Sequence, residues 1–357
     1  MKKSKNSRII FSFLFRFLPV LLVSVSIILP TAGAERDRVD RAIDKALAYL
    51  KKTQESDGAW GGRTRREPAI TSLAIMAYLS AGHVPGEGPY SDTIEKGIRW
   101  VIAAQDKNGL IAGNDSLEMY HHGISALMLA EAAGMTDRKL AKEMKPALEK
   151  AVDVILKAQR KGTTDANPQR GGWRYLAQAT DADISVTGWQ ILALRAAKNL
   201  GCDVPADKIN LALDYIRRCQ DPISGGFCYM PGGAVTVACT GTSILALELC
   251  GKEHRSREVL RGGGYLLKNP LEFKQQHFFY SVYYQSQAIF QLGNNYWNTF
   301  RPQLHKVLLE QQNKNGSWNA NDGLGANYGT AMGVLALTVE YRLLPIYQRE
   351  EPQEQGK

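Results

Sequence analysis

The chain repeats itself about every fifty residues, and a chain that repeats at this interval builds an array of like units rather than a single irregular core. An apolar pair followed four residues later by glutamine recurs as Tyr49-Leu50 with Gln54, Trp100-Val101 with Gln105, Val154-Ile155 with Gln159, Tyr215-Ile216 with Gln220, and Val307-Leu308 with Gln312. Glycine and a bulky residue come next, as Gly58/Trp60, Gly109/Ile111, Gly172/Trp173, Gly226/Phe227 and Gly316/Trp318. One further unit keeps its apolar stretch, Tyr265-Leu266, but has Lys268-Asn269-Pro270 where the glutamine would stand. After each glycine a small, apolar segment opens on Thr71, His122, Thr187, Thr240, Tyr284 and Thr330 in turn. The count is six units.

Each unit reads as two helices. The first has one apolar face and one charged face, as in Ala42-Ile43-Asp44-Lys45-Ala46-Leu47, so it belongs at a surface. The second is apolar almost all round and belongs where both sides are covered. An outer ring of amphipathic helices around an inner ring of apolar ones satisfies both patterns, and a closed ring needs no polar end caps. The expected fold is therefore all-α, an α/α toroid of six helix hairpins. It occupies 35–347 as one domain, followed by a disordered tail at 348–357.

Gln-x3-Gly-x-Trp, intact as Gln54 to Trp60 and Gln312 to Trp318, resembles the repeat of the prenyltransferase/squalene cyclase family, and the likeness runs along the whole chain after its leader. That resemblance implies the toroid fold. It also gives a meaning to Thr180-Asp181-Ala182-Asp183-Ile184-Ser185, which is similar to the Asp-x-Asp-Asp-Thr/Ser motif of class II triterpene cyclases. There the middle aspartate protonates the substrate; by the match Asp183 is the acid and Asp181 its neighbour, with Ile184 standing where the family has a further Asp. The related prenyltransferases hold zinc with an Asp two residues before a Cys. Here Val237 precedes Cys239 at that spacing, so neither a metal nor another cofactor is expected.

The site is expected where the six inner helices bring their amino ends together, because their unpaired N–H groups and positive dipole ends point there. Four residues ahead of the repeat column stand Glu67, Glu118 and Asp183 in three consecutive units. Each is read either as a helix cap or as part of an acidic patch. His121 and His122 enter the same mouth; paired with a carboxylate, His122 would run acid-base chemistry, while the alternative is that it replaces threonine at a helix start. Trp173, Tyr229, Tyr280, Tyr284 and Tyr328 supply an aromatic wall suited to an isoprenoid chain, a cation or a sugar ring. The expected ligand is a small apolar molecule. A secreted carbohydrate-active enzyme and a protein-binding scaffold remain alternatives.

Charge removes one class of partner. Of the 44 basic residues, five lie in the first 34 positions, which hold no acid; 39 bases against 35 acids remain, too mild an excess for a nucleic-acid surface. The segment 1–34 itself reads as a signal peptide, with an apolar run Phe17 to Leu29 and Ala32-Gly33-Ala34 as a cleavage site. Secretion or a periplasmic location is expected, with no membrane span once the leader is removed; the alternative is a leader kept as a membrane anchor. The five cysteines, all between Cys202 and Cys250, would then form at most one or two local disulfides.

Overall fold

The computed structural model describes residues 32–62, 67–113, 116–163 and 167–348. Among these residues six outer helices alternate with six inner ones. The outer set is α1 (Ala32–Thr53), α3 (Ser91–Ala103), α5 (Arg138–Ala158), α7 (Ala206–Arg218), α9 (Arg257–Lys268) and α11 (Asn294–Gln311). The inner set is α2 (Pro68–Ser80), α4 (Glu118–Gly134), α6 (Ile184–Asn199), α8 (Val237–Cys250), α10 (Phe278–Leu292) and α12 (Gly325–Leu337). Every residue of α2 is buried, whereas α3 buries only the stripe Thr93, Ile94, Gly97, Ile98 and Val101. Each inner helix packs on the next, and α12 packs on α2, so the ring closes. A two-stranded hairpin, Phe227–Cys228 against Val235–Thr236, stands at the entrance to α8.

The repeat residues perform the same job in five of the six units. Gln54 Nε2 donates to the carbonyls of Gly58 and Thr93, Gln105 to Gly109 and Ala147, Gln159 to Gly171 and Lys208, Gln220 to Gly225 and Glu258, and Gln312 to Gly316 and Ala42. Each glutamine thus ties its own turn to the following outer helix, and Gln312 ties the last turn to the first helix. The glycine is obligatory: Gly58 has φ +101°, and a Cβ there would lie 2.6 Å from the Lys96 carbonyl oxygen. The left-handed glycines of units three and four are Gly171 and Gly225, one residue ahead of the Gly172 and Gly226 read from sequence. The spacing to the bulky residue is thereby two in all five units.

The bulky residue plugs the gap behind this turn. Trp60, Trp173 and Trp318 are fully buried and donate their indole N–H to the carbonyls of Leu50, Ile155 and Leu308, each at 2.8 Å. The backbone N–H of the plug is accepted by the column residue of the inner helix: Thr71 by 2.9 Å to Trp60, Thr187 by 3.1 Å to Trp173, Thr240 by 2.9 Å to Phe227, and Thr330 by 3.1 Å to Trp318. Thr71, Thr187 and Thr240 stand four residues after their N-caps Glu67, Asp183 and Thr236. Counted from its N-cap His277, α10 has Ser281 there, not Tyr284, which lies three residues deeper. That unit lacks the plug, so the repeat pattern leaves its register undefined.

Helix α1 begins at Ala32, within the stretch read as a cleavage site; the leader before it and the tail after Gln348 lie outside the described residues. The chain after α12 forms two short 3-10 turns, Val339–Tyr341 and Pro345–Tyr347. The second packs on α4 and α6 and bonds Glu131, near the carboxyl end of α4. All five cysteines are free thiols. No helix among the described residues is long and apolar enough to cross a membrane.

Candidate functional site in the mouth of the inner ring

A cavity of about 760 Å³ opens at one end of the ring, within the range that holds small ligands. All six inner helices contribute residues of their first two turns to it: Glu67, Ile70 and Leu73 from α2 and its cap, Tyr120 and Ile124 from α4, Ser185 and Trp189 from α6, Val237 from α8, Tyr280 from α10, Tyr328 from α12. Six amino ends therefore meet at this mouth. Trp189 forms the floor, stacked on Tyr283 at 5.5 Å and 8°. Beneath it, the Tyr283 and Tyr347 hydroxyls meet at 2.6 Å, and Glu131 accepts the Ile346 N–H at 3.1 Å. The C-terminal turn thus closes the other end.

Asp183 lies beside the cavity wall rather than in it. It is the N-cap of α6, with Oδ1 accepting from Val186 N at 3.0 Å and from Ser185 Oγ at 2.5 Å, and Oδ2 accepting from Arg174 Nη1 at 2.9 Å. Its side chain is wholly buried. Burial pushes the carboxyl above its usual range, while Ser185, the Val186 N–H and Arg174 act the other way. Asp181, half exposed, meets the same guanidinium at 3.2 Å from Nε. Arg174 in turn lies over the ring of Tyr175 at 4.4 Å and donates to Tyr229 Oη at 2.8 Å. Tyr120 donates to Ser185 Oγ at 2.6 Å, making a directed chain of hydroxyls from the cavity to Asp183.

Of the residues singled out from the sequence, Glu67, His121, Tyr229, Tyr280 and Tyr328 line the cavity. His121 Nδ1 accepts the Ala69 N–H at 3.3 Å. His122 is not available for acid-base work: it is fully buried, its Nδ1 accepts the Ile111 N–H at 3.0 Å and its Nε2 reaches the Ala151 carbonyl at 2.9 Å. It does for unit two what threonine does elsewhere, and burial lowers its pKa to about 4. Trp173 is a plug in the core, and Tyr284 is buried beneath the wall, edge-on to Trp189 at 5.2 Å. Glu118 opens α4 outside the cavity, facing the Ala177 N–H at 3.4 Å. The sequence reading missed Arg174 and Trp189, and had Ser185 only as the last residue of the aspartate motif. Among the described residues no three His, Cys, Asp or Glu side chains gather in a way that could hold a metal ion.

The profile of the prenyltransferase alpha-alpha toroid domain matches residues 15–116 and 174–332. The chain belongs to this family. A squalene–hopene cyclase of Zymomonas mobilis is 32% identical to this toroid over 77 residues, which are 19% of the chain and only 12% of that enzyme. Among solved structures, the type II terpene cyclase MstE of Scytonema, in complex with merosterolic acid A, aligns at TM-score 0.54 and 15% identity, over 88% of this toroid and 100% of that chain. An α-1,6-mannanase of Salegentibacter sp. HEL1_6, holding α-1,6-mannotriose, aligns at TM-score 0.65 and 9% identity, over 85% and 99%. Identities this low speak for the toroid fold alone.

Proposed function

We propose that this toroid binds an apolar, isoprenoid-like molecule in its central cavity, and that it does so outside the cytoplasm. The observation that carries the reading is the wall: Ile70, Leu73, Ile124, Val237, Leu324 and the face of Trp189 surround about 760 Å³, with tyrosine rings between them. Such a surface gains by losing water, at about 25 cal/mol for each Å² covered. The Scytonema cyclase, on the same fold, holds merosterolic acid A.

The reading is of a binding site and does not include protonation of an alkene by Asp183. A general acid must aim an O–H at the atom it protonates. Asp183 spends Oδ1 on Ser185 and Val186, spends Oδ2 on Arg174, and has no exposed surface. A mannan-cleaving site is less well supported. The mannanase variant that holds mannotriose was inactivated at two successive aspartates, and this sequence contains no two successive aspartates.

Titration with farnesene or squalene tests the proposal. Either hydrocarbon is expected to raise the melting temperature in a dose-dependent way, and Ile70→Asp, which puts a charge in the wall, is expected to remove the effect. Stabilisation by oligosaccharides in place of hydrocarbons, or by neither, would overturn it.

A further inference from the structure

The hydroxyl groups on one side of the cavity do not balance, and the imbalance specifies a chemical group. Tyr175 and Tyr229 approach through their hydroxyl oxygens at 2.5 Å. The other partner of Tyr229 Oη is Arg174 Nη1, which only donates. Between them the two phenols carry two hydrogens, and their mutual bond uses one. Whichever way that bond runs, one O–H is left over, and both rings line the cavity.

The opposite shortage holds next to them. Tyr120 gives its hydrogen to Ser185 Oγ, and Ser185 gives its own to Asp183 Oδ1. Both donors are spent, and the Tyr120 oxygen accepts nothing within the described residues. The rings of Tyr120 and Tyr175 stack at 5.8 Å and 25°, so the surplus donor and the unused acceptor are neighbours. Tyr280 adds no surplus, since its hydroxyl is met by Thr242 Oγ1 at 2.9 Å.

We infer that this tyrosine cluster recognises a neutral alcohol on the ligand, accepting from Tyr120's side chain nothing but donating to it, and receiving the surplus Tyr175/Tyr229 hydrogen. A hydroxyl is the smallest group that donates and accepts at once. A bare hydrocarbon would leave the surplus O–H without an acceptor. An anionic head is disfavoured, because no lysine or arginine lines the cavity among the described residues, while Glu67 and Asp322 do. Arg174, which bonds the cavity-lining Tyr229, already faces two carboxylates, Asp181 and Asp183. The inference rests on the binding proposed above and narrows it to oxygenated, uncharged isoprenoids.

Calorimetric titration with farnesol, farnesene and farnesyl diphosphate separates the two levels. Farnesol is expected to bind about tenfold or more tightly than farnesene, as two added hydrogen bonds allow, and farnesyl diphosphate more weakly than farnesol. Tyr175→Phe and Tyr229→Phe each leave one phenolic hydrogen, so each single variant is expected to keep the preference; the double variant is expected to lose it while binding farnesene as before. Retained farnesene binding shows that the cavity of the variant is intact. Equal affinity for farnesol and farnesene, or an undiminished preference in the double variant, would overturn the inference and leave the binding proposal standing. Failure of all three to bind would overturn both.

Discussion

Arg174 decides what the best-conceived acid in the sequence can do. A carboxylate as buried as Asp183 is tolerated only with charge and hydrogen bonds around it, and Arg174 supplies the charge at 2.9 Å. Replacing the arginine strands that charge: Arg174→Met is expected to cost about 3–5 kcal/mol. Asp183→Asn keeps a good N-cap and leaves Arg174 with Asp181, so about 1–2 kcal/mol is expected. Urea unfolding of both single variants and the double variant gives the coupling, expected near 2 kcal/mol; a coupling near zero would mean that Asp183 is neutral in the folded protein. Asp183 stood out in the sequence because of its motif. Arg174 did not, because it follows a plug residue in an irregular loop where no periodicity marks its direction. His122 misled for the converse reason: a histidine beside a carboxylate motif suggests chemistry, but its place in the repeat column, Thr71 to Thr330, already specified the acceptor of a plug N–H.

At the scale of elements, the helices were legible because each carries one of two plain patterns, and the positions of irregular pieces were not. The C-terminal turn Pro345–Tyr347 has no period and no repeat partner, yet it seals the far end of the ring through Glu131, Tyr283 and Tyr347. Glu131 is 2% exposed, and burial raises its pKa to about 8, opposed by the Ile346 N–H. The folded protein therefore holds a proton that the unfolded chain releases near its ordinary value of 4.5. Between these values the native state binds more protons than the unfolded one, so stability falls as pH rises and the loss is complete by about pH 8. Glu131→Gln keeps an acceptor for Ile346 and removes the titration. Its melting temperature relative to the parent chain is expected to climb from pH 5 to pH 8, by the equivalent of a few kcal/mol, and to level off above. A difference that stays flat across that range would mean that the turn relaxes to let Glu131 ionise freely.

For the whole molecule the question is whether the seam between the last unit and the first equals the other five joints. The six-fold count and the need for closure were readable, since no unit carries a polar cap; the fifth unit's register was not, because it lacks both glutamine and plug. At the seam Gln312 bonds Ala42 O and Gly316 O, Asn327 bonds Thr53 and Gly61, and α12 packs on α2. Gln105 makes the equivalent pair of bonds, to Gly109 O and Ala147 O, in the interior of the sequence. In an open array the terminal joint has a neighbour on one side only and frays independently. In a closed ring each joint is held from both sides and its loss is shared by the whole. Gln312→Ala and Gln105→Ala are therefore expected to cost the same, about 2 kcal/mol for two carbonyls left without a donor. Each variant is expected to unfold in urea in one transition, with circular dichroism and tryptophan fluorescence coinciding. If Gln312→Ala instead cost much less, or if fluorescence from Trp60 and Trp318 on either side of the seam changed before helicity did, the ring would be behaving as an arc that touches its own end.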